Sequence, residues 1–106
     1  MNAVVIGPDD DGLGDALEAA GVDTTRAAGT AAREQLLDAG TETAELLIVT
    51  DATLATSIPV ANEINPQLRV VVYSHDSLPE FARTGAELIL DPKLMAPETV
   101  AEELTA

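Results

Sequence analysis

Three apolar runs along the chain, LLIV at 46–49, VVVY at 70–73 and LIL at 88–90, show no polar alternation, and they give way to polar residues at Asp51, Ser74 and Asp91. Continuous apolar runs of this length predict parallel strands covered by helices on both faces, whereas a strand with one wet face alternates. AVVI at 3–6 predicts a further buried strand, and VDTTRAA at 22–28 a weaker, more polar one suited to a sheet edge. Helical spacing fills the gaps. Leu13, Leu17 and Ala20 form an apolar stripe that stops at Gly21. Thr30 is placed as the cap of a second helix through Ala39, with Ala32, Leu36 and Leu37 inward and Gly40 as its stop. The element Thr53 to Ile64 contains Pro59, which a helix tolerates only in its first turn or at a kink, and Ser57 offers a nearby cap. Asp76 or Ser77 is expected to cap a short helix with Pro79 in its first turn, ending at Gly85. Pro97 opens a last helix, PETVAEEL, with Leu94, Val100 and Leu104 packing inward. Tyr73 and Phe81, the two aromatic residues, are assigned to the core or its border.

Strands alternating with helices in this way predict one α/β domain over residues 1–106, a three-layer Rossmann-like or flavodoxin-like sandwich around a five-stranded parallel sheet. The expected strand order is 2-1-3-4-5, with the switch point between the first and third strands. Gly7 to Gly12, Asp51 and Thr53 should converge there, since ligands of open α/β sheets sit outside the carboxyl ends of the strands.

Charge narrows the partners. Nineteen acidic residues stand against five basic ones, a formal charge of −14. Such a surface repels nucleic-acid phosphates and anionic headgroups, so neither nucleic acid nor a membrane surface is an expected partner. Disorder is not expected either, because 46% of the chain is hydrophobic and arranged in regular blocks. Abundant acid with a single lysine, Lys93, resembles the proteome of salt-in halophilic archaea. The absence of cysteine removes disulfides, thiolate nucleophiles and cysteine zinc sites, and one histidine, His75, makes zinc a poor candidate. No apolar run approaches the roughly 20 residues that span a bilayer, and MNAVVIGPDDD enters a strand without a basic leader, so a cytoplasmic location is expected.

From Gly29 onward the chain resembles the N-terminal nucleotide-binding domain of the RCK, or TrkA-N, family, which regulates potassium channels and transporters. The resemblance rests on GTAAREQLLDAG, on a strand ending in an acidic residue, on a helix closing at Asn65-Pro66, and on ARTGAELILDP. It implies a non-enzymatic module that senses a nucleotide, NAD(H) or an adenine nucleotide, through Gly7, Asp9, Gly12, Gly14, Thr30, Asp51, Thr53 and Ser74. It also implies association as a homodimer and a membrane transporter or channel as partner. The dinucleotide motif itself is degenerate here: Gly7, Gly12 and Gly14 depart from G-x-G-x-x-G, Pro8 and three aspartates fill the loop, Arg26 stands where a ribose-binding acid is expected, and Thr30 replaces the aspartate of the Gly-Asp turn. A strand–helix unit is also missing. An anionic ligand at Gly12 to Gly14, with a cation on Asp9 to Asp11, is the altered form of this reading; a merely solvated PDDDG turn is its opposite. Short haloarchaeal proteins of this kind are sometimes labelled CTP synthetase, but the chain has no G-x-x-x-x-G-K-[ST] loop and no glutaminase cysteine.

A second resemblance competes. Receiver domains of two-component signalling share the length and the alternation. They use an acidic pair after strand one for Mg²⁺, a phosphoacceptor aspartate ending strand three, a Ser or Thr ending strand four and a Lys after strand five. Asp9 with Asp10, then Asp51, Ser74 and Lys93, offer that set, with Asp9, Asp10 and Asp51 as metal ligands. Lys93 follows Pro92, although the receiver's lysine precedes its proline. A protein-interaction module without a ligand is the third reading. His75 and Asp76 assemble no nucleophile–base–orienter set, so His75 reads as a loop histidine, and Glu98, Glu102 and Glu103 read as a hydrated helix face.

Carboxylate repulsion dominates this composition, and it reaches about 30 Å at 0.01 M salt but only about 3 Å at 1 M. The melting temperature should therefore rise across a KCl series, by about 4–8 °C for each kcal/mol of repulsion removed. Calorimetry showing a flat or falling trend would contradict this reading of the charge.

Overall fold

The computed structural model describes residues 1–106. Its strands are β1 (Asn2–Ile6), β2 (Asp23–Arg26), β3 (Leu46–Val49), β4 (Arg69–Tyr73) and β5 (Leu88–Leu90). All pair in parallel in the order β2-β1-β3-β4-β5, as expected from the sequence. β3 is buried at every residue, and it pairs with β1 through Val4↔Leu47 and with β4 through Leu47↔Val70.

The helices are α1 (Leu13–Ala19), α2 (Arg33–Asp38), α3 (Ser57–Ile64), α4 (Glu80–Arg83) and α5 (Pro97–Thr105). Side chains alternate across the sheet and divide the core in two. Val4, Ile6, Leu47, Val49, Val70 and Val72 meet Leu36 of α2, Ile58 and Ala61 of α3 and Ala82 of α4. Ala3, Val5, Leu46, Ile48, Val71 and Tyr73 meet Leu13 and Leu17 of α1 and Val100, Ala101 and Leu104 of α5. The result is the flavodoxin-like three-layer sandwich. No helix is long and apolar enough to cross a membrane.

Several local expectations need correction. Thr30 does not cap α2; the capping position is Ala32, and Leu37 turns outward, leaving Leu36 as the buried leucine of that helix. Ser57 is the first residue of α3 rather than its cap, because its Oγ donates to the Ala31 carbonyl at 2.8 Å and ties α3 to the preceding loop. Pro59 accordingly sits in the first turn, where its missing N–H costs nothing. Residues 52–54 form a separate 3₁₀ turn instead of the start of α3. α4 begins after Pro79 and is a single turn, so neither Asp76 nor Ser77 caps it. Leu94, expected to pack inward, is 82% exposed, and Phe81, expected in the core or at its border, is 57% exposed. Ala20 is exposed as well.

The end of β1 depends on one glycine. Gly7 has φ 95°, and a Cβ there would lie 2.6 Å from Thr50 Oγ1, whereas Gly21, at φ 91°, has open space around the same position. Left-handed strain is common to both substitutions, but only Gly7→Ala adds a collision. Gly7→Ala should cost about 3 kcal/mol and Gly21→Ala about 1 kcal/mol, measurable by urea unfolding; equal costs would contradict the close approach.

Candidate functional site

The carboxyl ends of β1, β3 and β4 open onto a cleft of about 390 Å³ lined by Pro8, Asp10, Asp11, Thr50, Asp51, Ser74, His75 and Asp76. Thr50 organises its floor. The Thr50 amide donates to the Ile6 carbonyl at 3.1 Å, and Oγ1 donates to the Ile6 carbonyl and closely to that of Pro8, drawing the β1 loop against β3.

Asp51 follows directly. Its Oδ1 accepts from Thr53 Oγ1 at 2.7 Å and from the Thr53 amide at 2.9 Å, capping the 3₁₀ turn. The Thr53 hydroxyl bond, and after it the Thr53 amide bond, hold the Asp51 carboxyl below its usual 3.8 against the opposing effect of burial. Asp51 is therefore a fixed anion at neutral pH. Ser74 is nearly buried and its Oγ accepts from the Asp76 amide at 3.2 Å. His75 stands between two loops, with Nε2 3.4 Å from Asp11 Oδ1 and Nδ1 3.7 Å from Asp91 Oδ1. Four aspartates and one imidazole thus line the cleft. Below it, buried Tyr73 donates from Oη to the Met95 carbonyl at 2.6 Å. Burial first, then Asp11, Glu98 and Asp91, push its phenol pKa upward.

The glycine loop has a different occupation from the one expected. Asp9 turns inward, its side chain only 13% exposed, and its two carboxylate oxygens accept from the Gly14 amide at 3.1 and 3.0 Å. Arg26 completes the arrangement, with one guanidinium nitrogen 3.9 Å from Asp9 Oδ2 and the other donating to the Gly7 carbonyl at 3.3 Å. A Cβ on Gly14 would lie 2.7 Å from Asp9 Oδ2. The protein's own carboxylate occupies the first-turn amide that an incoming phosphate would use. Gly12, at φ 78°, provides the left-handed entry into α1.

The predicted site residues therefore separate. Asp51 and Ser74 share the 390 Å³ cleft, and Gly7 lines a neighbouring cleft of about 460 Å³ with Arg26 to Gly29, Pro8, Asp51 and Leu54. Asp9, Gly12, Gly14 and Thr53 serve the loop and the turn, and Thr30 is exposed and lines neither cleft, its carbonyl accepting from Ser57 Oγ at 3.4 Å. The expected metal set of Asp9, Asp10 and Asp51 is not brought together, since Asp9 is held on Gly14 while Asp10 and Asp51 face the cleft. No group of three His, Asp or Glu side chains is placed to hold a metal ion. The residues directly after β1 are Gly7 and Pro8, which supply no carboxylate there. Lys93 is exposed and is not among the residues lining either cleft; its amide donates to Asp91 Oδ1 at 2.9 Å in the turn after β5. His75 lies in a loop, as expected; what sequence reasoning missed is its place between Asp11 and Asp91, which depends on three loops meeting. Its one sequence signal was its position at the carboxyl end of a strand.

Comparison with known proteins agrees with the fold. A CheY-like protein, TadZ of Pseudomonas aeruginosa PAO1, is 23% identical, with a TM-score of 0.70 over 100% of this chain and 94% of that one. A response regulator from Burkholderia pseudomallei, solved with a phosphorylated aspartic acid, a calcium ion and citrate, is 22% identical with a TM-score of 0.62 over 97% and 69% of the two chains. The TrkA-N domain of the inner membrane protein YbaL from Escherichia coli is 17% identical with a TM-score of 0.57 over 97% and 96%. These likenesses establish the shared fold. They also correct the expectation of an RCK-type nucleotide sensor: the CheY-like and response-regulator structures superpose better than the TrkA-N domain, and Asp9 already holds the amide of the glycine loop. No curated protein matches the sequence. Residues 3–104 match the family of unknown function DUF7126, and the chain belongs to that family.

Proposed function

We propose that this chain is a receiver-like regulatory domain that acts through protein contacts, without metal-assisted phosphotransfer. One observation carries the reading: Asp51 follows β3, where a receiver would carry its phosphoacceptor, yet no three acidic or histidine side chains are grouped to hold a metal beside it. A phosphoryl donor is an anion, and each unneutralised carboxylate repels it by about 1 kcal/mol at 4 Å even in water. The cleft presents Asp10, Asp11, Asp51 and Asp76, with His75 already set between Asp11 and Asp91. Lys93, the other candidate counter-charge, lies outside the lining.

A second reading is favoured by a specific observation, the placement of Asp51 and Ser74 on one cleft at the ends of adjacent strands. In that reading Asp51 accepts a phosphoryl group, and a divalent ion draws Asp10 and Asp11 toward it. Intact-mass spectrometry after incubation with acetyl phosphate and Mg²⁺ separates the two in high KCl. The proposed function gives no phosphoryl adduct; an adduct present in the natural sequence and absent from Asp51→Asn replaces it with the phosphoacceptor reading.

The role of Asp51 in the fold is separately measurable. Its folded pKa lies below the unfolded value, so the stability it contributes is present above the unfolded value and is lost as pH falls through the folded one. Asp51→Asn should flatten the acid limb of the stability curve below about pH 4. An unchanged acid limb would mean that the Thr53 bonds are not maintained in solution.

A further inference from the structure

β2 is the edge of the sheet beside β1, and it is open along its length: Asp23, Thr25 and Arg26 are exposed and Thr24 is half-buried. The Asp23 amide donates to the Met1 carbonyl and the Ala27 amide to that of Val5, so the odd-numbered residues face β1. Alternate residues of an edge strand face opposite ways, and Thr24 and Arg26 therefore turn both N–H and C=O away from the sheet. Such a row of unpaired groups is a template for a further strand, commonly blunted by a proline, a lysine or a bulge. β2 has none of these, and its register with β1 runs unbroken from Asn2↔Asp23 to Val5↔Arg26.

The charges around β2 indicate which strand fits. Thr24 and Arg26 lie on the α1 face, where the Thr24 hydroxyl donates to Glu18 at 2.7 Å and Arg26 reaches Asp9 and the Gly7 carbonyl. Thr25 lies on the α2 face, where it lines a small cleft with Gln35 and Asp38. The α1 side of the edge thus carries an acid beside Thr24 and a cation at Arg26, one on each side of Thr25. A second copy laid antiparallel and centred on Thr25 sets each Arg26 opposite Thr24 of the other copy and beside its Glu18, a carboxylate in no ion pair within its own chain. The same placement pairs the outward N–H and C=O groups of Thr24 and Arg26 and stacks Thr25 on Thr25. Centring the pair on Thr24 would instead set Glu18 against Glu18. Two charges oppose the favoured register or gain nothing from it: Asp38 is brought toward its own copy, and Asp23 falls opposite Ala27. With −14 on each chain as well, the backbone pairing needs salt to screen the approach. We propose that the chain pairs with a second copy through β2, antiparallel about Thr25, to make one continuous sheet. This goes beyond the contact-based reading of the function, since it holds whether or not Asp51 takes a phosphoryl group.

Sedimentation equilibrium of the full chain over a KCl series, at protein concentrations up to about 1 mM because so short an interface is weak, reads the association. A monomer–dimer equilibrium that tightens with KCl is expected. Amide hydrogen exchange locates it: exchange at Thr24 and Arg26 should slow as protein concentration rises, while Thr25, already bonded to β1, should not change. Thr24→Pro removes an amide that bonds nothing in the monomer, so it should keep the melting temperature and abolish the dimer. Glu18→Arg makes the chain less acidic, which alone would favour association, yet it should weaken the dimer about tenfold because it faces Arg26 at two symmetric places. Asp38→Asn should tighten it. A monomer at every concentration and salt, a dimer that KCl weakens, a dimer that forms without protecting Thr24 and Arg26, or one tightened by Glu18→Arg overturns the proposal. Phosphoryl transfer to Asp51 would overturn the functional reading while leaving the β2 result unchanged, so the two fail separately.

Discussion

Burial of β3 on both faces is the constraint from which the rest of the structure follows. Leu46 and Ile48 face α1 and α5, while Leu47 and Val49 face α2 and α3, and all four are fully buried. Each such side chain contributes about 1.5–3 kcal/mol relative to exposure. A strand covered on both sides must have both backbone edges paired, here by β1 and β4. Parallel neighbours require helical crossovers, and crossovers place every strand's carboxyl end on the same side of the sheet. The cleft holding Asp51 and Ser74 is therefore a consequence of the packing of four aliphatic residues.

The polar rim is then shaped by interactions the protein makes with itself. Gly7 lets the β1 loop approach Thr50, and Thr50 in turn binds the Pro8 carbonyl. Asp9 closes over Gly14 and brings Arg26 with it. Asp51 closes over Thr53. Two carboxylates that sequence patterns assign to a ligand thus stabilise a helix entry and a turn, while Asp10, Asp11 and Asp76 give the cleft its negative character.

The sheet was readable in the sequence because burial on both faces writes itself as unbroken apolar runs: LLIV and VVVY became buried strands, while LIL became a strand at the sheet edge with Ile89 47% exposed, not the doubly covered strand its run predicts. Strand order followed from the economy of connecting them. Caps were less readable. Thr30, Ser57 and Asp76 have suitable side chains, but Ser57 finds a better acceptor in the Ala31 carbonyl, a contact 26 residues away in sequence. Leu94 and Phe81 lie in segments too short to show a period, so their outward orientation left no signal. The site was hardest, because a strand-ending aspartate suits both an RCK-type domain and a receiver. The pairing of Asp9 with Gly14 and of His75 with Asp11 and Asp91 joins residues of different segments, and no local pattern announces it.

The central claim is that the chain keeps a receiver-like fold while its acids serve the fold rather than a metal. Titrating Mg²⁺ into the isotope-labelled protein in high KCl tests it most directly, with the amides of Asp10, Asp11, Gly14 and Thr53 as reporters. Small, non-saturating shifts at these amides, unchanged in Asp51→Asn, are the predicted result. Saturable single-site shifts at Asp10, Asp11 and Thr53 that disappear in Asp51→Asn would contradict the account and show that the cleft assembles a metal centre.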